Sequence, residues 1–415
     1  MKTEQLADTS IAAAWASTLP DSARIQSDRI VSLQYLRAAA AFFVLVFHAS
    51  YYLDARGLDE HFRAAFGRGF SDFGVYTFFA ISGFLMGVQV GRRSGAAPAF
   101  LLHRLVRIFP LFWAIAIAAL CLRLLVRTGV EWDPLTFSLA PLGERIYPIG
   151  VEWTLVFEVS FYLYTAAIIA LGWARFLPLI GCSWLIAILT ASLIAPELQE
   201  GRFPHLFGVP LSAYSSAFAA GLLIPWSIRR GWVGRSFLAA GLVLFVGGQW
   251  SDAAAFRIMS SAVGCAMIVA WATTLSNHPR SVSRVFHSLG DWSYATYLVH
   301  VPVISAVYRF GSAFAPPTLL WLAAVGTTFV ASALIGPFDV TLYRWLKRTV
   351  DRLSRRKQTT FCLGFLTVTM AVVWAASTEI STQSKAAGLI AGSLGNVPSP
   401  PVADILARRG HHHRP

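Results

Sequence analysis

Apolar runs, each about as long as a membrane-spanning helix, recur along almost the whole of this 415-residue chain. A helix needs about 20 mostly apolar residues to cross the hydrocarbon core of a bilayer. Ten such runs lie at about 33–53, 72–91, 110–126, 152–172, 176–195, 208–226, 236–250, 256–275, 292–310 and 317–339. They predict an all-α fold, a polytopic transmembrane helical bundle of about ten core spans, because helices satisfy their own backbone hydrogen bonds in lipid. An eleventh run at about 358–378 is a candidate for one more span.

The composition excludes most other classes of protein. Hydrophobic residues make up 56% of the chain and charged residues only 13%, whereas a soluble domain carries about 25% charged residues. The net charge of +13 would suit a nucleic-acid partner in a soluble protein. In a membrane protein, basic residues report orientation instead. We therefore expect membrane lipids around the chain and no nucleic-acid partner.

Basic residues are concentrated on one set of loops. They include 92–93, 104–107, 229–230 and 344–357, all of which share a side with the N-terminus if the spans alternate. Loops rich in Lys and Arg stay in the cytoplasm, so this bias predicts a multi-pass protein with a cytoplasmic N-terminus. If run 358–378 crosses the membrane, the C-terminal tail lies outside; if that run lies on the surface, the tail stays inside.

The chain divides into four parts. Residues 1–30 form a polar cytoplasmic arm without the apolar stretch of a signal peptide, and 31–350 form the transmembrane core. Residues 351–380 hold a basic linker and the candidate extra helix, and 381–415 form a tail whose Gly, Ser, Ala and Pro predict disorder. The four cysteines stand singly in apolar runs, so we interpret them as packing residues and expect no metal site.

A few ionisable residues fall inside the predicted spans. A charged side chain at mid-bilayer costs about 2.5–3.5 kcal/mol on insertion scales, so each is a functional hypothesis. Arg37 and His48 share the first span and are eleven residues apart. On a helix this spacing puts both on one face, about 16.5 Å apart along the axis. The face carries a fixed cation near one end and a titratable base near the other.

Glu158 is the candidate partner of His48. Alternation of the spans places both side chains roughly 8–9 Å below the outer surface. A His–carboxylate pair fixes the tautomer of the imidazole and raises its basicity, as a general base requires. Tyr162, one turn from Glu158 on the same face, is placed to join them. The pair forms only if the two helices are neighbours; otherwise both are structural hydrogen-bonding residues.

Arg104 and Arg107 lie three residues apart, just before Pro110. This spacing puts both guanidinium groups on one helix face and suits bidentate binding of phosphate, although a basic loop is also what orientation requires. With Arg37 farther in and His48 beyond it, the pattern favours a long phosphorylated donor that enters from the basic side. Coenzyme A thioesters have that shape.

Five motifs, in order, resemble a known family. They are Arg37 with His48; the segment 76–86 with Ser82 and Gly83; 104–110; 150–162 with Trp153 and Glu158; and 293–300. Over about residues 30–350 the chain resembles the acyltransferase family 3 membrane proteins, and the 150–162 motif is most similar to that of exopolysaccharide-modifying acetyltransferases.

The resemblance implies a bacterial inner-membrane O-acyltransferase. Such an enzyme moves an acyl group, usually acetyl, from cytoplasmic acyl-CoA to a sugar hydroxyl of a surface polysaccharide or lipid-linked glycan. Acyl-CoA is then a co-substrate, and no permanently bound cofactor or metal is expected. The resemblance implies His48 and Arg37 as the essential pair and Arg104 and Arg107 as donor-binding residues. Taking motifs and helix geometry together, we predict His48, Arg37 and Glu158 for catalysis, Arg104, Arg107 and Arg37 for donor binding, and Trp153, Tyr162 and His300 for substrate binding.

Two positions depart from the family pattern. Val159 stands where a second polar residue is common, and Asp339 where Glu is usual. Ser82 and Gly83 are interpreted as a close helix contact, since small residues favour packing between membrane helices.

The residues leave alternatives open. Transfer can run directly with His48 as base or through an acyl-His48 intermediate. The rival function is a multi-pass transporter of glycans or small molecules that uses Arg37, His48 and Glu158 to bind substrate or protons. A structural role in an export complex is the third alternative.

Overall fold

The computed structural model describes residues 31–92, 97–125, 133–199, 202, 205–275 and 280–393. Its α-helices are α1 Val31–Asp54, α2 His61–Ala65, α3 Arg68–Arg92, α4 Ala97–Leu125, α5 Trp153–Ala170, α6 Leu177–Ile194, α7 Ser216–Arg229, α8 Arg235–Gln249, α9 Ala254–Ala272, α10 Arg280–Gly311, α11 Pro317–Arg352 and α12 Arg355–Ser393. Short 3-10 turns occur at Pro134–Ser138, Trp173–Phe176, Pro196–Gln199 and Ala213–Ser215.

The predicted helical bundle is confirmed. Among the described residues, eight segments are long and apolar enough to cross a membrane, and they comprise α1, α3, α4, α5, α6, α9, α11 and the first part of α12. Helices α7 and α8 are shorter, with 14 and 15 residues. Helix α10 has 32 residues and mixes polar with apolar side chains. A helix therefore lies at each of the eleven predicted runs, although the run 208–226 becomes helical only near its end.

Charged residues mark two opposite ends of the bundle. We call the end that carries Arg37, Arg104, Arg107, Arg344 and Lys347 the basic face, and the end that carries Asp54, Arg123 and Arg309 the opposite face. Helix α1 packs between α3 and α10, while α10 also packs on α11. The residues that the sequence analysis singled out on α1 therefore face α10 as well as α3.

The segment before α5 folds into the protein and does not lie on its surface. Val151 and Glu152 are fully buried, and the Glu152 carboxylate accepts hydrogen bonds from the amides of Ile149 and Gly150, both at 2.6 Å. Because its first turn is anchored inside, α5 begins below the opposite face.

Helices α3 and α7 approach closely at two glycines. A Cβ on Gly83 would lie 2.2 Å from the Phe218 carbonyl oxygen and 3.0 Å from the Gly221 Cα. Only a residue without a side chain fits between these backbones. The expected close packing at Gly83 is therefore confirmed. Gly83 belongs to the scaffold, whereas its neighbour Ser82 lines a cavity at the basic face.

Gly83→Ala is expected to destabilise the bundle, because backbone atoms cannot move aside as a flexible side chain would. Overpacking of this kind costs about 1–3 kcal/mol. The measurement is thermal unfolding of purified protein in detergent. The matched control is Gly326→Ala on α11, where nothing lies within 4 Å of the added Cβ. Equal melting temperatures for the two variants would contradict the close contact.

Helix α12 packs along the outside of α4. The Cys362 Sγ lies 3.3 Å from the Pro98 carbonyl oxygen, the Phe365 and Phe109 ring centroids are 5.7 Å apart, and Ala376 joins a cluster near the opposite face. Its segment Arg355–Thr378 is long and apolar enough to span a membrane. The helix continues to Ser393, into the predicted tail. Residues 1–30 of the predicted arm and 394–415 of the tail lie outside the described residues.

Candidate active site

A cavity of about 500 Å³ opens at the basic face between α1, α3, α4, α5, α10 and α11. All three arginines predicted to bind the donor line it, as do Glu158 and Tyr162. The structure thus brings together residues from α1, α4 and α5 that are far apart in sequence. Its mouth carries Arg344 and Lys347, whose side chains are exposed.

Arg104 has hydrogen-bonding capacity to spare. Its guanidinium carbon lies 5.6 Å from the ring centroids of both Phe100 and Tyr162, which fix the side chain by cation–π contact. The Nε atom is buried and has no hydrogen-bond partner among the described residues. A buried donor left unsatisfied carries a free-energy penalty that an anionic ligand would remove.

Arg107 differs from Arg104 in having a protein partner. Its guanidinium donates to the Asp339 carboxylate at 2.5 Å, and the carboxylate is buried. The Arg107 cation also lies over the rings of Tyr294 and Tyr343, at 4.9 and 5.4 Å. Asp339, which departs from the family's usual Glu, thus joins α11 to α4 and holds Arg107 at the cavity wall.

The expected pair of His48 and Glu158 does not form. The Glu158 carboxylate instead accepts a hydrogen bond from the Tyr162 hydroxyl, one turn along α5, and lines the same cavity as Arg37. The predicted contact of Tyr162 with Glu158 is therefore present. The prediction that Glu158 and His48 lie at the same depth in the membrane is wrong.

The recessed start of α5 explains the error. The Thr154 hydroxyl lies 2.6 Å from the Tyr297 hydroxyl. Tyr297 lies about one turn nearer the basic face than His300, which contacts His48, and Glu158 lies a further turn beyond Thr154. These two steps place Glu158 about 10 Å nearer the basic face than His48.

The partner of His48 is His300 on α10. The Nε2 atom of His300 lies 3.3 Å from the Nδ1 atom of His48, and the ring centroids are 4.9 Å apart. Tyr52 stacks against the other side of the His48 ring, at 6.1 Å. His300 was predicted to bind substrate, and the structure brings it against the candidate base instead of into the cavity.

Backbone carbonyls assign the tautomers of both rings. His48 Nδ1 lies 2.9 Å from the Val44 carbonyl oxygen, and His300 Nδ1 lies 2.6 Å from that of Tyr297. A carbonyl only accepts, so each Nδ1 carries the proton. The single His48 Nδ1–H is then shared between the Val44 carbonyl oxygen and the His300 Nε2 lone pair, and the His48 Nε2 lone pair is left as the basic atom. This is the arrangement of a general base with an orienting partner.

The cavity ends just short of this histidine pair. Tyr297 and Thr154 line its inner end and are hydrogen-bonded to each other, and Tyr297 also donates to the Val151 carbonyl oxygen at 3.1 Å. The ring centroids of Tyr297 and His300 are 5.5 Å apart. His48 itself is half-buried, so part of its ring remains accessible. One tyrosine thus separates the cavity from the candidate base.

The three residues predicted to bind substrate lie in different places. Tyr162 lines the basic cavity and His300 contacts His48. Trp153 packs against Tyr214 at 5.0 Å, with the Arg202 guanidinium 5.9 Å above its ring. The structure does not bring these side chains into one binding site.

Sequence reasoning missed three charged residues of the cavity. Arg344 and Lys347 counted only as orientation signals, and Asp291 was not singled out, yet all three line the cavity. Helix α11 continues to Arg352 as one helix of 36 residues. Positions 344 and 347 therefore share one face of α11 at the mouth of the cavity. The i, i+3 spacing of Arg344 and Lys347, like that of Arg104 and Arg107, was a sequence signal that could have identified them.

Comparison with known proteins decides the family. Residues 30–336 match the acyltransferase family 3 domain, described as "Acyltransferase domain", and this range covers most of the chain. The chain belongs to this acyltransferase family. Membership makes the protein a membrane O-acyltransferase and favours the enzyme over the transporter alternative. Arg344 and Lys347 of this acyltransferase lie beyond the matched range.

A curated relative supports the assignment. The acyltransferase is 28% identical over 311 residues to the "Exopolysaccharide production protein ExoZ" of Rhizobium meliloti (strain 1021), a match that covers 69% of this chain and 92% of the relative. No solved structure matches the acyltransferase.

Proposed function

We propose that the protein transfers an acetyl group from acetyl-CoA to a sugar hydroxyl of an exopolysaccharide or of its lipid-linked precursor, in the bacterial inner membrane. The observation that carries the proposal is the cavity at the basic face, which Arg37 and Arg104 both line and where the buried Arg104 Nε has no partner among the described residues. The name of the relative ExoZ supports a glycan acceptor. The bias of basic residues supports a cytoplasmic position for the basic face.

The donor lies with its phosphates at the mouth of the cavity. Arg104, Arg344 and Lys347 bind them, since guanidinium groups recognise phosphate oxygens in a bidentate manner. The pantetheine arm then follows the cavity past Arg37 toward His48, about 16.5 Å farther along α1. The Tyr297–Thr154 hydrogen bond closes this path, so the thioester displaces the Tyr297 side chain as it approaches His48.

His48 acts as the general base. Its Nε2 accepts the proton of the sugar hydroxyl while the sugar oxygen attacks the thioester carbonyl carbon. The tetrahedral intermediate then expels the CoA thiolate, which takes the proton from His48 and leaves as the thiol. His300 Nε2 accepts from the His48 Nδ1–H throughout and stabilises the imidazolium. General base catalysis of this kind contributes about 10²–10⁴-fold.

Arg37 and Glu158 act at a distance from the reacting atoms. Both line the cavity on the basic side of Tyr297, and Arg37 is about 16.5 Å from His48 along α1. Their charges lie along the path of the donor, so we assign them to donor positioning.

The direct test follows radiolabelled acetyl-CoA. Purified protein in lipid nanodiscs is incubated with it, with and without surface glycan from the source organism. CoA release together with label on the glycan is the expected result. Tight binding of acetyl-CoA without turnover on any glycan offered would contradict the acceptor assignment. No binding by folded protein would contradict the donor assignment.

Arg104→Gln is expected to raise the KM for acetyl-CoA with little change in kcat. A hydrogen bond to a charged group contributes about 1.5–3 kcal/mol, so the KM should rise about 10-fold or more. The measurement is initial rate against acetyl-CoA concentration. The matched control is Arg175→Gln, a basic residue outside the cavity whose cation lies over Phe176. An unchanged KM for Arg104→Gln would remove Arg104 from the donor site.

A further inference from the structure

Two hydroxyl groups meet at the inner end of the cavity at the basic face. Thr154 on α5 and Tyr297 on α10 both line the cavity, and their oxygens are 2.6 Å apart. Each oxygen also lies within hydrogen-bonding distance of the Val151 carbonyl oxygen, at 3.2 Å for Thr154 and 3.1 Å for Tyr297. Each hydroxyl has a single proton. In the closed cavity, both protons are therefore used within this group of three residues.

The proposed reaction places a negative charge near this end of the cavity. When the sugar oxygen attacks the thioester, the carbonyl oxygen becomes an oxyanion beside His48, and an oxyanion held away from water needs hydrogen-bond donors. The cations lie elsewhere, since Arg37 is about 16.5 Å from His48 along α1 and Arg107 is bound to the Asp339 carboxylate. Among the described residues that line the cavity, the two hydroxyls are the donors nearest to the histidine pair.

Tyr297 is the better placed of the two hydroxyls. It precedes His300 by three residues, so both side chains lie on one face of α10, and their ring centroids are 5.5 Å apart. His300 in turn contacts His48, with 3.3 Å between the two nitrogens. One helix face thus holds the partner of the base and a hydroxyl on the donor side of that base. We therefore expect a carbonyl oxygen beside His48 to lie within reach of the Tyr297 hydroxyl.

Opening of the cavity frees the Tyr297 hydroxyl and leaves the Val151 carbonyl paired. The thioester reaches His48 only by moving the Tyr297 side chain, which separates its hydroxyl from both partners. The Thr154 hydroxyl then donates to the Val151 carbonyl oxygen, which it already approaches at 3.2 Å. A buried donor without a partner is unfavourable, so the Tyr297 hydroxyl takes the acceptor that displaced it, the thioester carbonyl oxygen.

We propose that the Tyr297 hydroxyl donates a hydrogen bond to the thioester carbonyl oxygen and stabilises the oxyanion of the tetrahedral intermediate. The inference rests on the proposed function and adds a catalytic residue to it. As the sugar oxygen bonds to the carbonyl carbon, the π electron pair of the carbonyl moves onto its oxygen, and the hydrogen bond from Tyr297 strengthens. The pair returns when the carbon–sulfur bond breaks, and Tyr297 keeps its proton throughout.

Tyr297→Phe tests the proposal, because it removes the hydroxyl and keeps the ring. We expect kcat for acetyl transfer to fall about 100–1,000-fold, as after the loss of one oxyanion donor, with little change in the KM for acetyl-CoA. S-ethyl-CoA has the arm of the donor but no carbonyl oxygen, so it should bind the variant and the wild type equally.

The matched control is Tyr308→Phe on the same helix. Its buried hydroxyl donates to the Ala49 carbonyl oxygen at 2.8 Å, and Tyr308 does not line the cavity. This variant loses a buried hydroxyl in the same way, and its kcat should equal that of the wild type.

A barrier without a chemical role would behave differently. Loss of the seal alone should leave kcat unchanged, or change the KM for acetyl-CoA more than kcat, and either result for Tyr297→Phe would overturn the proposal. Thr154→Val tests the other hydroxyl, and kcat should fall by less than about tenfold because Tyr297 keeps its own. A loss of about 100-fold or more in Thr154→Val would assign the oxyanion to the threonine and overturn the proposal. This second variant decides the question if Tyr297→Phe does not fold.

Failure of this proposal is distinguishable from failure of the proposed function. A wild type that releases CoA and labels the glycan, with a Tyr297→Phe variant within about tenfold of its kcat, would remove only the oxyanion assignment. A wild type that neither binds nor turns over acetyl-CoA would refute the donor chemistry itself.

Discussion

His48→Ala is expected to reduce acyl transfer by at least 100-fold while the protein stays folded. Among the described residues no partner contacts the lone pair of the His48 imidazole Nε2, and general base catalysis contributes about 10²–10⁴-fold. Acetyl-CoA should still bind, because His48 does not line the basic cavity. The measurement is label transfer from acetyl-CoA to glycan, with donor affinity determined on the same preparation.

The control for this variant is His61→Ala. His61 is an exposed histidine on α2, paired with Asp59, and its removal should leave transfer at the wild-type rate. A His48→Ala protein that kept more than about a tenth of the wild-type rate would refute His48 as the general base. Loss of donor affinity in that variant would instead indicate a disturbed fold.

Replacement of His300 should lower kcat with no change in the KM for acetyl-CoA. His300→Ala removes the lone pair that faces the His48 Nδ1–H, and we expect kcat to fall about 10–100-fold, a part of the general-base contribution. His300→Gln should recover part of the loss, since the amide oxygen can accept a hydrogen bond near the position of Nε2. Initial rates over a range of donor concentrations separate the two constants.

Glu158→Gln is the informative comparison for His300. Because Glu158 lines the donor cavity and bonds to Tyr162, its replacement should change the KM for acetyl-CoA more than kcat. The opposite split, with kcat lost in Glu158→Gln and retained in His300→Ala, would restore the pairing of Glu158 with His48. A structural role for His300 alone predicts no recovery with Gln.

The fold was predictable because the bilayer sets the length of each element. Apolar runs of about 20 residues have few alternatives to a spanning helix, and α1, α3 and α4 lie where the runs predicted. The same reasoning marked Gly83 as a packing position. Helix lengths were less predictable where a helix is shorter than a full membrane span, as in α7, which has only 14 residues.

The arginines that line the cavity were also within reach of sequence reasoning. Arg104 and Arg107 follow from i, i+3 spacing on one helix, and Arg37 and His48 from their separation on another. Each inference uses the geometry of a single helix, which is the same in every fold. The structure adds that Arg107 is held by Asp339, a contact between α4 and α11 that spacing along one helix does not contain.

Which residue lies beside His48 depends on how deep in the membrane each helix begins. For α5 that depth was counted from the wrong residue. Counting from the end of the apolar run put Glu158 level with His48. In the structure, Val151 and Glu152 are fully buried and Tyr297 on α10 donates to the Val151 carbonyl oxygen, so the segment before α5 lies inside the bundle and the residues of α5 lie nearer the basic face. This placement leaves His300 beside His48 and puts Glu158 in the cavity at the basic face.

The sequence by itself therefore determined the helical bundle and the bias of charge between its two ends, and it marked the arginines that line the cavity at the basic face. These depend on hydrophobic length and on spacing within one helix, both of which are local. Only the tertiary structure decided that His300 contacts His48, and that Glu158 lines the same cavity as Arg37 and Arg104. Such contacts depend on which helices are neighbours and how deeply each one begins, and those are set by packing between segments far apart in the chain.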